Sequence, residues 1–129
     1  MTDQSDPART CTMLYKILST EEFTALPTPP SLWKGSPFDV STSIVHLAAA
    51  CQVQNTLSEI YSDSSSLWIL AIPRTERLEP WLRFDGPGVG CAHVHLPVGE
   101  GIDVYGEVAL RRPIKKGEDG VWDLGELEW

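Results

Sequence analysis

Apolar residues in this chain gather into short runs separated by proline, glycine and serine, the pattern of brief strands joined by turns. Met13-Leu14-Tyr15-Lys16-Ile17-Leu18 is rich in strand formers and interrupted only by Lys16. Leu67-Trp68-Ile69-Leu70-Ala71-Ile72 is almost wholly apolar, as a central strand buried on both faces would be, and Pro73 closes it. Ile44-Val45-His46-Leu47 predicts another strand, and the alternating Trp81-Leu82-Arg83-Phe84-Asp85 one more. Ile102 to Leu110 also predicts a strand, with Gly106 marking a bulge or a close backbone approach.

Two segments have helical character. Ser19-Thr20-Glu21-Glu22 fits a capping box, which predicts a short helix with Phe23 and Leu26 facing inward and a stop at Pro27. Apolar residues at 50, 53, 57, 60 and 61 recur at helical spacing and predict a longer helix after the His46 strand. Gly35-Ser36-Pro37-Phe38-Asp39 reads as a turn. Several short strands with one capped and one longer helix make the class α+β. Residues 1–12 are polar and aperiodic, a disordered leader, and 13–114 hold the periodic segments as one domain. Residues 115–129 form an acidic segment that carries Trp122 and Trp129. A disordered tail has no need of two tryptophans, so part of this segment is expected to pack back.

Composition narrows the function classes. A net charge of −8 over 129 residues argues against nucleic-acid binding through a basic patch, which needs clustered Lys and Arg, but leaves room for a small ligand in a local pocket. The basic stretch Arg111, Arg112, Lys115 and Lys116 reads as a solvated face. Three cysteines, at 11, 51 and 91, make no disulfide framework and suit a reducing compartment. No apolar run reaches transmembrane length, and the N-terminus lacks the apolar centre of a signal peptide. The expectation is a soluble, cytoplasmic protein with no membrane partner.

The densest chemistry lies in Gly86-Pro87-Gly88-Val89-Gly90-Cys91-Ala92-His93-Val94-His95-Leu96-Pro97. Read as a strand between turns, it puts Cys91, His93 and His95 on one face and Ala92, Val94 and Leu96 on the other. Elsewhere each candidate has two readings. Lys16 is an edge lysine or points into a cleft. His46, at a strand end before a helix, is a ligand-binding histidine or one satisfied by a backbone carbonyl. Arg83 is half of a solvent-facing pair with Asp85 or grips a ligand carboxylate or phosphate.

Leu14-Tyr15-Lys16-Ile17-Leu18, Glu22-Phe23, Gly35-Ser36-Pro37-Phe38-Asp39, Ile44-Val45-His46-Leu47, Leu82-Arg83-Phe84-Asp85 and Ala92-His93-Val94, in this order, resemble the domain-of-unknown-function family 952 (DUF952) over residues 13–114. The resemblance implies a fold like that of the ADP-ribosyltransferases and RNA 2'-phosphotransferases: a split, mostly antiparallel sheet with two main helices and a cleft between the sheets. It implies that Lys16, His46 and His93 face that cleft. The site expected there has His46 and His93 as catalytic residues and Lys16, Phe38, Arg83 and His95 as ligand-binding residues. Lys16 stands where the wider transferase group holds NAD with His or Arg, and no glutamate is placed by motif as the catalytic acid. No cofactor is therefore assigned, and no metal.

Three functions follow. A small-molecule enzyme would use His46 and His93 as general acid and base, with Lys16 holding an anionic or carbonyl group. A cupin-like metal enzyme would use His93, His95 and Glu100, joined by Cys91 or His46. A non-catalytic accessory module would dock a protein partner through the C-terminal segment, since Ala48, Ala49 and Cys51 replace the Ser/Thr and Glu that the family places after its first histidine.

Overall fold

The structure, a computed structural model, describes residues 11–28, 31–84, 92–97 and 99–127, with the Cys51 side chain outside that set. β1 (Met13–Leu18) pairs with β3 (Ser66–Pro73), β3 with β6 (Leu110–Lys116) and β6 with β7 (Trp122–Asp123), giving the four-stranded sheet β1-β3-β6-β7. β2 (Ile44–Leu47), β5 (Ala92–His95) and β4 (Leu82–Phe84) form a second sheet in the order β2-β5-β4. All of these pairings are antiparallel. A backbone bridge links β1 to the residue after β2, where Tyr15 N donates to Ala48 O at 2.7 Å and Ala48 N to Tyr15 O at 2.9 Å. The chain is α+β with a split antiparallel sheet.

β3 is the central strand that its apolar run predicts. Ile69, Leu70, Ala71 and Ile72 are all buried, and each large side chain is stabilised by about 1.5–3 kcal/mol relative to exposure. One face of the larger sheet, with Leu14, Leu18, Leu70 and Ile72, meets Val45, Leu47, Ala92 and Val94 of the smaller sheet. The other face, with Tyr15, Ile17, Ile69 and Ala71, packs against Val53 and Leu57 of α3 (Val53–Ile60). The smaller sheet thus spends one face on the core. Strand alternation sends His46, His93, His95 and Arg83 to its other face.

α1 (Thr20–Thr24) begins at the expected capping box, with Glu22 N donating to Ser19 Oγ at 3.1 Å and Ser19 N to Glu22 Oε1 at 2.9 Å. Phe23 stacks on Trp68 with ring centroids 3.8 Å apart. Residues 35–39 form no simple turn. Ser36 caps α2 (Pro37–Thr42), with Pro37 at the first helical position, where its missing N–H costs nothing, and Asp39 closing a second capping box. α3 follows a 3₁₀ turn at Ala50–Gln52, and its Ile60 is exposed rather than packed inward.

Residues 102–109 do not form the expected strand. Ile102 and Val104 are buried, but Ile102 makes an isolated bridge to Trp33, and Asp103 and Glu107 close a turn through Asp103 N to Glu107 Oε1 at 2.8 Å and Glu107 N to Asp103 O at 2.7 Å. The strand comes later, in the basic stretch. Ladder bonds use the backbone, so Arg111 and Arg112 pair with β3 while their guanidinium groups reach the Val104 and Leu124 carbonyls. The C-terminal segment packs back as β7, burying Trp122 and Leu124. Residues 1–10 of the expected leader lie outside the described residues, whereas Cys11 is buried and Arg74 N bonds Thr12 O at 3.0 Å, because both sit on the β1–β3 end of the core. Among the described residues no helix is long and apolar enough to cross a membrane.

Candidate functional site

Where β1 and β2 part, a cleft of about 530 Å³ opens, lined among others by Lys16, Glu22, Phe38, Asp39, His46, Tyr61 and His93. Its floor is built around Asp39. As the third residue of α2, Asp39 is held in place by its capping bonds to Ser36, and its side chain is buried. Oδ2 meets Lys16 Nζ at 2.5 Å and accepts from Ser36 N at 3.1 Å. Oδ1 meets His46 Nδ1 at 2.8 Å and accepts from His46 N at 3.4 Å. Lys16 Nζ also donates to the His46 carbonyl at 3.1 Å. The edge reading of Lys16 is therefore corrected. The ammonium is buried because Asp39 and a carbonyl left open by the split replace its water.

These bonds also set the histidines. The His46 amide and carbonyl are taken by Asp39 and Lys16, on the side away from β5, the pattern of a non-hydrogen-bonded cross-strand pair, in which side chains lie closest. The His46 and His93 rings meet edge to face at 4.9 Å. Phe38 covers His46 from α2 at 5.0 Å.

Electrostatics follow from burial and partners. Burial alone would push the Asp39 carboxyl up, but the Lys16 ammonium and the hydrogen bonds from Lys16, His46 and Ser36 outweigh it and hold the group below the usual carboxylate range. In the neutral imidazole, an Nδ1–H donated to this carboxylate leaves the lone pair on His46 Nε2. The Tyr61 phenol, which donates to Ile17 O at 3.4 Å, is pushed up to about 12 by burial and by the carboxylates of Glu22 and Asp39. It stays a neutral donor at physiological pH.

Lys16, Phe38, His46 and His93 thus meet at one cleft. Arg83 and His95 lie beside it on the same sheet face and do not line it. Arg83 stands opposite His93 and donates to the Pro80 and Leu82 carbonyls at 2.9 Å, and His95 is exposed with its ring 6.4 Å from that of His93. The proposed partners Asp85 and Cys91 fall outside the described residues. Glu100 pairs with Arg77 at 3.4 Å rather than joining His93 and His95, and among the described residues no three His, Cys, Asp or Glu side chains converge to hold a metal. Asp39 is the residue that sequence reasoning missed. Its signal was there, since Ser36-Pro37-Phe38-Asp39 repeats the capping-box spacing of Ser19 to Glu22.

Comparison with known proteins agrees with the architecture. The crystal structure of protein CC0527 from Caulobacter crescentus is similar at 28% identity and a TM-score of 0.67, over 88% of this chain and 95% of that one. The solution NMR structure of the same protein is similar at 27% identity and a TM-score of 0.67, over 85% and 90%. No curated protein matches the chain. The model of a family described as a protein of unknown function, DUF952, matches residues 17–101, from β1 through the cleft strands, and the chain belongs to that family.

Proposed function

We propose that this protein binds and converts a small metabolite in the cleft between its two sheets, with His46 as the general acid–base. The observation that carries this reading is the Asp39–His46 pair, in which a buried carboxylate meets Nδ1 at 2.8 Å on a histidine whose side chain is 33% exposed at a cleft of about 530 Å³. An imidazole held this way takes a proton at Nε2, and the buried carboxylate stabilises the imidazolium that forms. His93, edge to face with His46, is the second proton-handling group, and Tyr61, whose hydroxyl donates to Ile17 O, supplies a neutral acceptor. Such a set suits isomerisation, cyclisation or hydrolysis. The docking reading has less support, since Trp122 and Leu124 of the C-terminal segment are spent on the core.

The test is a thermal-shift screen of a metabolite panel on the wild type and on a His46→Ala/His93→Ala variant. A compound that binds the folded state raises the melting temperature by mass action. The expected result is a shift present in the wild type and absent from the variant, followed by turnover of that compound. Binding and turnover that survive the double substitution would overturn the proposal.

A further inference from the structure

The cleft's charges and its amide donors bear on what it takes. Its one lysine, Lys16, has its charge matched by Asp39 at 2.5 Å and a second proton on the His46 carbonyl. Glu22 adds a further carboxylate. Among the described lining residues, one permanent cation therefore faces two carboxylates. At the helix starts near the cleft, the N-cap and N3 amides are also in use. Ser19 N donates to Glu22 and Ser36 N to Asp39, so each helix start near the cleft is capped by its own carboxylate. The start of the 3₁₀ turn before α3 is closed in the same way, with Ala49 N donating to Gln52 Oε1 at 3.0 Å.

Beside Ser36, Thr56, Tyr61 and His93, the lining carries a large apolar part. Phe38 on α2 and Ile60 on α3 are 64% and 68% exposed at the same cleft, while Ile17, Leu47 and Ala48 line it further. Ile60 departs from the inward face that its helical spacing predicts, and Phe38 lies against the His46 ring. Two large apolar side chains left open beside a polar floor favour a ligand with its own flat apolar surface.

Resting on the proposed function of this cleft, we infer that its ligand is an uncharged molecule with a flat apolar part, which lies against Phe38 and Ile60 and offers a polar group to His46. The cleft discriminates against phosphate- and carboxylate-bearing ligands. Lys16 in this arrangement is a positioning residue that fixes Asp39, not an anion holder.

Matched fragment pairs test this by NMR titration of the imidazole resonances of His46 and His93. Each flat amide or alcohol is set against its carboxylate or phosphate counterpart, with benzamide and benzoate, and adenosine and AMP, among them. The neutral members are expected to move both histidines and to bind more than about tenfold tighter than their anionic counterparts, since an uncompensated like charge in a site costs at least that. Phe38→Ala, at an exposed position where folding is insensitive, is expected to weaken the neutral members by about tenfold. Anionic members binding equally well or better at His46 would overturn this inference while leaving the cleft's proposed function standing. A set that moves neither histidine would overturn both.

Discussion

The Asp39 carboxylate and the His46 imidazole meet at 2.8 Å across the seam between a helix start and a strand, and the same carboxylate neutralises Lys16 from the other sheet. One buried group thus ties α2, β2 and β1 together at the point where the sheets part. Asp39→Asn keeps the shape and removes the charge. It leaves the Lys16 ammonium buried without a counterion, and breaking such a pair from one side costs about 3–5 kcal/mol. Denaturant unfolding is expected to show a loss of that size, partly recovered when Lys16→Met is added and no charge remains buried. A loss below about 1 kcal/mol, as for an exposed ion pair, would mean that the triad does not hold the cleft floor.

Local patterns made much of this arrangement legible in advance. β1, β2, β3 and β5 announce themselves because apolar content or alternation follows burial directly, and strand alternation alone puts His93 and His95 on one face. Asp39 was not legible, because its burial depends on Lys16, 23 positions earlier in the chain, and on His46 across the seam, neither of which a local pattern encodes. Its capping box went unread because Gly35 and Pro37 carry strong turn signals and the helix they introduce has only six residues. β6 was missed for the opposite reason. Ile102 and Val104 are apolar because they are buried in a turn, while Arg111 to Lys116 form a strand through backbone bonds that their side chains do not advertise. Helical spacing alone does not reveal that Ile60 is exposed at the cleft mouth, because among the described residues no neighbouring element covers that end of α3.

Acid stability should report on Asp39. Its folded-state carboxyl is held below the usual range, mainly because the Lys16 charge and hydrogen bonds overcome burial. A depressed folded value gives stability that is present above the unfolded value of about 3.9 and lost as pH falls through the folded value. Glu79, hydrogen-bonded by Arg74, and Glu107, where burial is outweighed by the Arg77 hydrogen bond, the Asp103 amide and the Arg77 charge together, are lowered as well. Urea midpoints measured between about pH 6 and pH 2.5 should therefore fall for the wild type and fall less steeply for Asp39→Asn. Equal slopes would show that Asp39 carries no such linkage.

Tyr61 governs the alkaline side. Its phenol is pushed up to about 12 by burial and by Glu22 and Asp39. A raised folded value gives stability that is complete below the unfolded value of about 10 and is lost as pH rises toward the folded one. Tyr61→Phe is expected to remove this loss and to abolish an ultraviolet phenolate transition near pH 12. At neutral pH the substitution should cost less than about 1 kcal/mol, because the 3.4 Å bond to Ile17 O is long. A variant with an unchanged alkaline profile would place the perturbed phenol elsewhere.

Gly35 controls how Asp39 reaches the floor. Its φ is +103°, a conformation that side chains other than glycine's rarely adopt, and a Cβ there would come within 2.4 Å of Asp39 Cβ. Gly120 is the comparison, with φ +84° and no atom within 4 Å of an added Cβ. Gly120→Ala isolates the backbone term, about 1–2 kcal/mol. Gly35→Ala carries that term and also forces Asp39 off its partners, so it is expected to cost at least about 2 kcal/mol more, the scale of overpacking a filled site. It should also shift the His46 imidazole resonances, which Gly120→Ala leaves alone. If the two alanines cost the same and His46 is unmoved in both, the close packing of Gly35 on Asp39 is not what positions the carboxylate.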